Sequence, residues 1–376
     1  MPEQPTSDRK IRLALIFGGQ SAEHEVSLAS ARSVLRAVDP TRYEVLPIAI
    51  SPRGDWMIGE PAIALLGPPA PAEGTATSQD VAAQAGPGMA ARVVHALSPA
   101  GPRAEHRAID VVFPVLHGPH GEDGTVQGLL ELSGVPYVGA GVAASAVGMD
   151  KILMKRLFLQ AGLPVVPFIA VTRAEWHDAP DAVARRVAEV VGFPCFAKPA
   201  NMGSSLGISR VEGPHALAAA LDGAAHYDRR LLVERAAPAA REIECGVLGN
   251  EKPAVSVVGE IRVHDAPFYT FEAKYEDGAS DLIVPADLPT EVSERARELA
   301  RRAYLVVDGA GMARVDFLLC GDDELYVSEI NTIPGFTPTS MFPLLWAASG
   351  LPYAALIDRL VELAIERHEQ ATDDAR

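Results

Sequence analysis

The chain reads as an α/β protein of two or three packed units, and three observations lead there. Its 376 residues exceed the roughly 100 to 200 of a usual single domain. Near the N-terminus a buried strand, a turn, a helix and a second strand follow in the order of a parallel, right-handed unit. Farther on, β-type runs form an antiparallel series broken by amphipathic helices.

Each element can be placed in turn. "IRLALIFGG" is a short buried strand, "HEVSLASARSVLRAV" a helix and "YEVLPIAI" the next strand. Residues 59–108 are rich in Ala, Pro and Gly and read as an irregular surface insertion carrying little function. "AIDVVFPVLHG" resumes as a buried strand ending in a glycine-rich loop. "VPYVGAG" is a further short strand, after which the first unit closes near residue 139. Residues 142–162 are helical, and "GFPCFAKPANMGSSLGISRV" reads as two strands joined by a Gly/Ser loop. "RLLVERAA", "REIECGVLG" and "PAVSVVGEIRV" continue as strands. A loop, "HDAPFYTFEAKYEDGASDLIVPAD", precedes the helix "TEVSERARELARRAYLVV". The hairpin "ARVDFLLCGDDELYVSEIN" and the helix "PYAALIDRLVELAIERHE" follow. The expected units are 1–139, 140–235 and 236–376.

With 48% apolar and 22% charged residues, the composition excludes disorder and fibrous repeats. A net charge of -16 argues against nucleic acid or an anionic membrane surface as a partner, so an anionic ligand must be met by local cations. Cys195, Cys245 and Cys320 stand far apart in apolar stretches without zinc spacing. They read as core cysteines of a reducing compartment. The polar N-terminus and the short apolar run after it, below the roughly 18 residues of a span, point to the cytoplasm.

Side chains on a strand alternate faces, so Glu329 and Asn331 point the same way, as do Arg314 and Asp316. An even-length turn at "GDDE" places Asp316 on the face of Glu329. Two carboxylates and a carboxamide suit magnesium, which fills its octahedron with water and nucleotide phosphates. An ion-paired exposed face is the alternative. Lys151 and Lys198 are the cations placed to meet phosphates, and the "GSSLG" loop after Lys198 can turn its N–H groups toward them. It is not a Walker loop, because Gly-Lys-Ser/Thr is missing and no helix follows at once.

These elements, in this order, resemble the ATP-grasp superfamily, and within it the D-alanine:D-alanine ligase family. The motifs are "GGQSAEHEVS", "LHGPHGEDGTVQGLLELSGVPYVGAG", "MDK", "KPANMGSSLG", "AREIECGVLGN", "FYTFEAKY", "RVDF" and "EINTIPGFTPTSMFP". They run from about residue 11 to 365, with only the 59–108 segment lacking a clear counterpart. The resemblance implies an ATP-grasp fold: a Rossmann-like parallel sheet domain followed by two α+β domains that clamp ATP. It implies phosphate contacts from Lys151 and Lys198, and places Glu234, Arg235 and Glu242 at the adenine and ribose. Asp316, Glu329 and Asn331 would hold two Mg2+ ions, with Mn2+ as a substitute. Ser204 would lie over the phosphates and Lys274 in a mobile closing loop.

The same resemblance implies the chemistry. One D-alanine carboxylate attacks the γ-phosphorus, giving an acyl phosphate. Its ammonium would face Glu23, with His117 beside it. The second D-alanine must lose a proton before its amine attacks, and Glu23, Ser204 and Tyr275 would form the network near that amine. Arg314 and the backbone N–H of Gly335 would meet the charge growing on the carbonyl oxygen. Ser340 and Met341 would bind the second substrate.

Arg235 stands where many relatives carry lysine, a contact made largely through backbone, and Phe271 stands where some have tyrosine, leaving Tyr269 and Tyr275 as the phenols of that loop. The expected function is ATP-dependent ligation of two D-alanines for peptidoglycan precursor synthesis, by a homodimer. A D-alanine:D-lactate ligase is the near alternative, and a non-catalytic ATP-binding sensor of the same fold the alternative of another class.

Overall fold

The computed structural model describes residues 9–67, 109–203, 206–264 and 280–374. Ser204, Lys274 and Tyr275, together with Tyr269, Phe271 and residues 68–108, lie outside the described residues. Three sheets carry the rest.

The first unit runs β1 (Ile11–Gly18), α1 (His24–Ala37), β2 (Tyr43–Ile50), β3 (Trp56–Ile58), α2 (Glu60–Leu66), β4 (Val111–Pro114) and α3 (Thr125–Ser133). Strand order is β3-β2-β1-β4, with β2 and β4 both parallel to the central β1 and β3 antiparallel at the edge. The continuous apolar run of β1 is explained by burial on both faces. Leu13, Leu15 and Phe17 enter one core cluster, Ala14 and Ile16 another.

Two expectations change here. Residues 60–66, read as irregular, form helix α2. Pro61 sits in its first turn, where a missing N–H costs nothing, and Ala62 and Leu66, one turn apart, are buried in the core. "VPYVGAG" makes only a single parallel bridge, Val112 to Tyr137, rather than a strand.

Next come α4 (Val142–Met149), α5 (Lys151–Gln160), β5 (Phe168–Thr172), α6 (Arg173–Asp178), α7 (Pro180–Arg186) and a π-helical turn at Val187–Val191. β6 (Cys195–Pro199), β7 (Ser209–Val211), α8 (Pro214–Tyr227) and β8 (Arg230–Arg235) complete an antiparallel sheet of order β5-β8-β6-β7. The core of this sheet begins at Ile169. Helices α4 and α5, placed by chain order in the central unit, instead send Ala144, Met154 and Phe158 into the core of the third sheet.

That sheet has the order β11-β10-β9-β12-β13, all antiparallel. Its strands are β9 (Arg241–Leu248), β10 (Ala254–Val263), β11 (Ser280–Ile283), β12 (Met312–Cys320) and β13 (Glu324–Asn331). β11 corrects the reading of residues 264–287 as loop throughout: its four residues pair with the end of β10. Helix α9 (Thr290–Val306) covers one face through Val292, Ala296, Leu299 and Ala303, an i, i+4, i+7, i+11 stripe.

Two last helices, α10 (Met341–Ala348) and α11 (Tyr353–Asp374), return to the first unit. Leu356, Ile357 and Leu360 of α11 share a core with Leu13 and Leu15 of β1. Phe336, fully buried between them, has its ring 5.5 Å from Phe113 and 5.4 Å from Tyr353. The loop after β13 is thereby pinned against the carboxyl ends of β1 and β4, where open parallel sheets place their ligands. No single helix among the described residues is long and apolar enough to cross a membrane.

Candidate active site

The hairpin β12–β13 sets the centre of the site. Asp316 pairs with Glu329 and Arg314 with Asn331, so all four side chains share one face. Phe317 then pairs with Val327, which leaves Ser328 as the extra residue of a β-bulge. On the other flank β9 sets Glu244 opposite Asp316 and Glu242 opposite Leu318. Arg314 donates from Nε and Nη2 to the two Asp316 oxygens, both at 2.7 Å, and Nε lies 3.0 Å from Glu244 Oε2. Burial disfavours its charge, but Asp316 and Glu244 outweigh burial and hold the guanidinium firmly protonated.

Helix α10 lies across the same face because position 246 is glycine. A Cβ there would come within 2.8 Å of Trp346 Nε1. The close approach puts Ser340, the N-cap residue of α10, beside Gly335. Ser340 Oγ accepts from Thr337 N at 3.2 Å and shares a 2.8 Å hydrogen bond with Thr337 Oγ1.

The first unit supplies the opposite wall. Ser27 Oγ accepts from Gly18 N at 2.7 Å and donates to Val115 O at 2.5 Å, clamping the start of α1 to the ends of β1 and β4. Glu23 is therefore the residue at the head of α1, with its N–H donating to Ser21 Oγ at 3.2 Å. A Cβ at Gly203, on the loop after β6, would lie 2.8 Å from Glu23 Oε2, so the carboxylate of the first unit meets the glycine loop of the second. His117 is buried, donating from Nδ1 to Ile333 O at 3.0 Å, with Glu122 Oε1 at 3.4 Å. Burial lowers its pKa, but Glu122 and Glu23 together reverse this and raise it. Burial raises that of Glu122.

The third wall carries the cations. Asp150 caps α5, accepting from Ile152 N and Leu153 N, each at 3.1 Å, and is itself held by Arg230. This cap fixes Lys151 at the first helical position, where its Nζ donates to Met202 O at 2.7 Å. Lys198, on β6, lies 2.5 Å from Glu234 Oε1. Glu234 Oε2 lies 2.9 Å from Lys155 Nζ, which also donates to Ser328 O at 3.1 Å. Burial alone would raise the Glu234 pKa, but the two ammonium groups pull it down to about 2. Arg235, the next residue, turns its guanidinium to Val191 O at 2.8 Å, so its side chain points away from Glu234.

A cavity of about 490 Å³ joins these walls. Glu23, His117, Lys151, Arg314, Glu329, Asn331, Gly335, Ser340 and Met341, all singled out in the sequence, line it together. Lys198, Glu234, Arg235, Glu242 and Asp316 do not line it. Lys198 feels the charges of Glu329 and Glu242, and Asp316 sits behind Arg314. Lys155, Glu122 and Glu244 are the polar residues sequence reading passed over. A signal existed for Glu244, which shares a strand face with Glu242, and for Lys155, one helical turn from Lys151.

No three His, Cys, Asp or Glu residues among those described gather into a metal-ligand group. Glu329, Asn331 and Asp316 nonetheless fit magnesium. They offer two carboxylates and a carboxamide on opposed strands, a hard oxygen set that leaves positions for water and phosphate.

Comparison with known proteins bears on the whole chain. Family models described as D-ala D-ala ligase N-terminus and C-terminus match residues 12–140 and 157–362. A D-alanine--D-alanine ligase of Geobacillus kaustophilus is 50% identical over 363 residues, covering 96% of both chains. One from Listeria monocytogenes is 47% identical, again over 96% of each. The match to the N-terminal model, residues 12–140, runs across the 59–108 segment. The solved D-alanine-D-alanine ligase from Coxiella burnetii superposes with a TM-score of 0.79 at 33% identity, covering 98% of this chain and 97% of its own. The VanG D-Ala:D-Ser ligase from Enterococcus faecalis gives 0.77 at 30%, covering 95% and 100%. The hairpin with its two carboxylates, the facing lysines and the wall at Glu23 thus lie on an ATP-grasp frame, and the chain belongs to the D-alanine–D-alanine ligase family.

Proposed function

We propose that the chain joins two D-alanine molecules into D-alanyl-D-alanine while ATP becomes ADP and phosphate, through a D-alanyl phosphate. The observation that carries this reading is the single cavity in which an acidic wall at Glu23, an arginine at Arg314 and the oxygen donors of β13 face one another. An amino acid needs an anion for its ammonium and donors for its carboxylate, and both are present. Close relatives over nearly the whole chain bear the same activity in their names.

The residues divide the work. Glu23, with His117 behind it, binds the ammonium of the first D-alanine, whose carboxylate then attacks the γ-phosphorus. Lys151 and Lys198 meet the phosphates. Asp316, Glu329 and Asn331 would hold two Mg2+ ions, or Mn2+ in their place, which when bound neutralise the triphosphate. Ser340, at the head of α10, and the adjoining Met341 receive the carboxylate end of the second D-alanine, where helix N–H groups favour an anion. Its ammonium gives up a proton to the Glu23 network with Ser204 and Tyr275, and the resulting amine attacks the acyl carbon. Arg314 and the N–H of Gly335 stabilise the oxyanion, and phosphate leaves. Glu234, Glu242 and the backbone of Arg235 hold the adenosine end, and Lys274 closes the site. The proposal extends to a cytoplasmic homodimer serving peptidoglycan precursor synthesis, with units divided near residues 139 and 235 and helices α4 and α5 of the middle unit packing on the core of the third sheet.

ADP release measured with D-alanine, L-alanine and D-lactate tests the reading, with Asp316→Ala and Arg314→Ala as controls. D-alanine-dependent release is expected, abolished by Asp316→Ala and strongly reduced by Arg314→Ala. ATP binding with no release in the presence of D-alanine would instead indicate a sensor.

A further inference from the structure

Lys155 is a buried cation that none of the steps above uses. It lies one helical turn beyond Lys151 on α5, with its side chain 3% exposed. Its Nζ touches two elements at once: Glu234 Oε2 on β8 at 2.9 Å and the carbonyl of Ser328 on β13 at 3.1 Å. Ser328 is the bulged residue, immediately before Glu329. A single ammonium therefore ties the central sheet to the strand that carries the oxygen donors.

Charge balance adds a second consequence. Glu234 is one buried carboxylate shared by two ammonium groups, with Lys198 Nζ on its other oxygen at 2.5 Å. Lys198 can turn to a phosphate only by loosening that contact. A buried carboxylate left without a partner is strongly unfavourable. With Lys155 on the second oxygen, the charge stays compensated while Lys198 moves.

We propose that Lys155 is a positioning residue for nucleotide binding. It keeps Glu234 paired so that Lys198 can engage the phosphates. The inference rests on the ligase reading for its ligand and deepens it by separating nucleotide affinity from D-alanine affinity.

Calorimetric titration of the full chain with Mg2+ and a non-hydrolysable ATP analogue tests it. Lys155→Met is expected to weaken binding by about tenfold, with KM for D-alanine changed by less than about twofold. In a Glu234→Gln background, adding Lys155→Met is expected to change nucleotide affinity by less than about twofold, since no carboxylate remains to be compensated. Unchanged affinity in the single variant, or the same tenfold loss in the Glu234→Gln background, would overturn the proposal. If Lys155→Met does not fold, Lys155→Gln serves in the same two comparisons. The titration needs no turnover: a wild-type chain that binds the analogue but forms no dipeptide contradicts the ligase reading and leaves this inference standing.

Discussion

Arg314 grips Asp316, its neighbour two residues along the same strand, through two hydrogen bonds of 2.7 Å. The residue proposed to meet the oxyanion is thus oriented by a residue proposed to hold the metal. Charge stabilisation on the phosphate side and on the carbonyl side is mechanically joined through one fork.

Replacing Arg314 by alanine removes that donor together with the cation that Asp316 and Glu244 share. We expect kcat to fall by roughly 10²–10³-fold, about 2.7–4 kcal/mol in the transition state, in a coupled ADP-release assay. Arg314→Lys keeps the charge without the fork, so only part of the rate should return. A lysine variant with full activity would mean that geometry at this position is unimportant.

Phe336 ties the loop after β13 to the first unit, with its ring against Phe113, Phe342 and Tyr353 and its carbonyl accepting from Tyr353 Oη at 2.7 Å. Phe336→Ala should cost about 3–5 kcal/mol in urea unfolding. Because Gly335 precedes it, kcat should drop as well. A loss below 1 kcal/mol, on the order of a tolerated surface change, would contradict its placement at the junction of two cores.

The depressed pKa of Glu234 makes a pH prediction with a definite sign. Its folded value, about 2, lies below the ordinary carboxylate value of 4.5, so the stabilisation is present above pH 4.5 and is lost as pH falls toward 2. The full difference is on the order of 3 kcal/mol. Denaturant unfolding between pH 7 and pH 2.5 should show a steeper acid loss for the wild type than for Glu234→Gln. Parallel curves would show that Glu234 is not held ionised by Lys155 and Lys198.

All three cysteines are buried. Burial pushes the Cys195 thiol up to about 11 and raises those of Cys245 and Cys320. A thiol-disulfide exchange reagent at pH 8 should therefore leave the native chain unmodified over the minutes in which it titrates all three thiols in denaturant. Rapid native labelling of any one of them would place that thiol at the surface.

Much of the site was legible because strand periodicity is simple. The alternation in "ARVDF" and "SEIN" paired Arg314 with Asp316 and Glu329 with Asn331, but the expected even-length turn is not what aligns them: Cys320 pairs with Glu324 across three residues, and the bulge at Ser328 shifts the register so that Asp316 meets Glu329. The N-terminal parallel unit followed equally from its apolar runs. Helix α2 was hidden by the Ala/Pro/Gly composition around it, although Pro61 before an apolar pair was a start signal. Lys155 was hidden for a different reason. On an amphipathic helix a lysine reads as a solvated charge, and only the packing of α5 between two sheets buries it. That packing also explains why α4 and α5, next in sequence to the central unit, belong to the core of the third sheet. Contacts between distant segments decide it, and no local pattern encodes them.

The most direct test is to identify the product. The chain would be incubated at neutral pH with ATP, Mg2+ and equal concentrations of D-alanine, D-lactate and D-serine, and the products resolved by mass spectrometry. Our account predicts D-alanyl-D-alanine as the main product, formed in step with ADP and lost in Asp316→Ala. A dominant D-alanyl-D-lactate or D-alanyl-D-serine, or ADP formed without any ligated product, would contradict it.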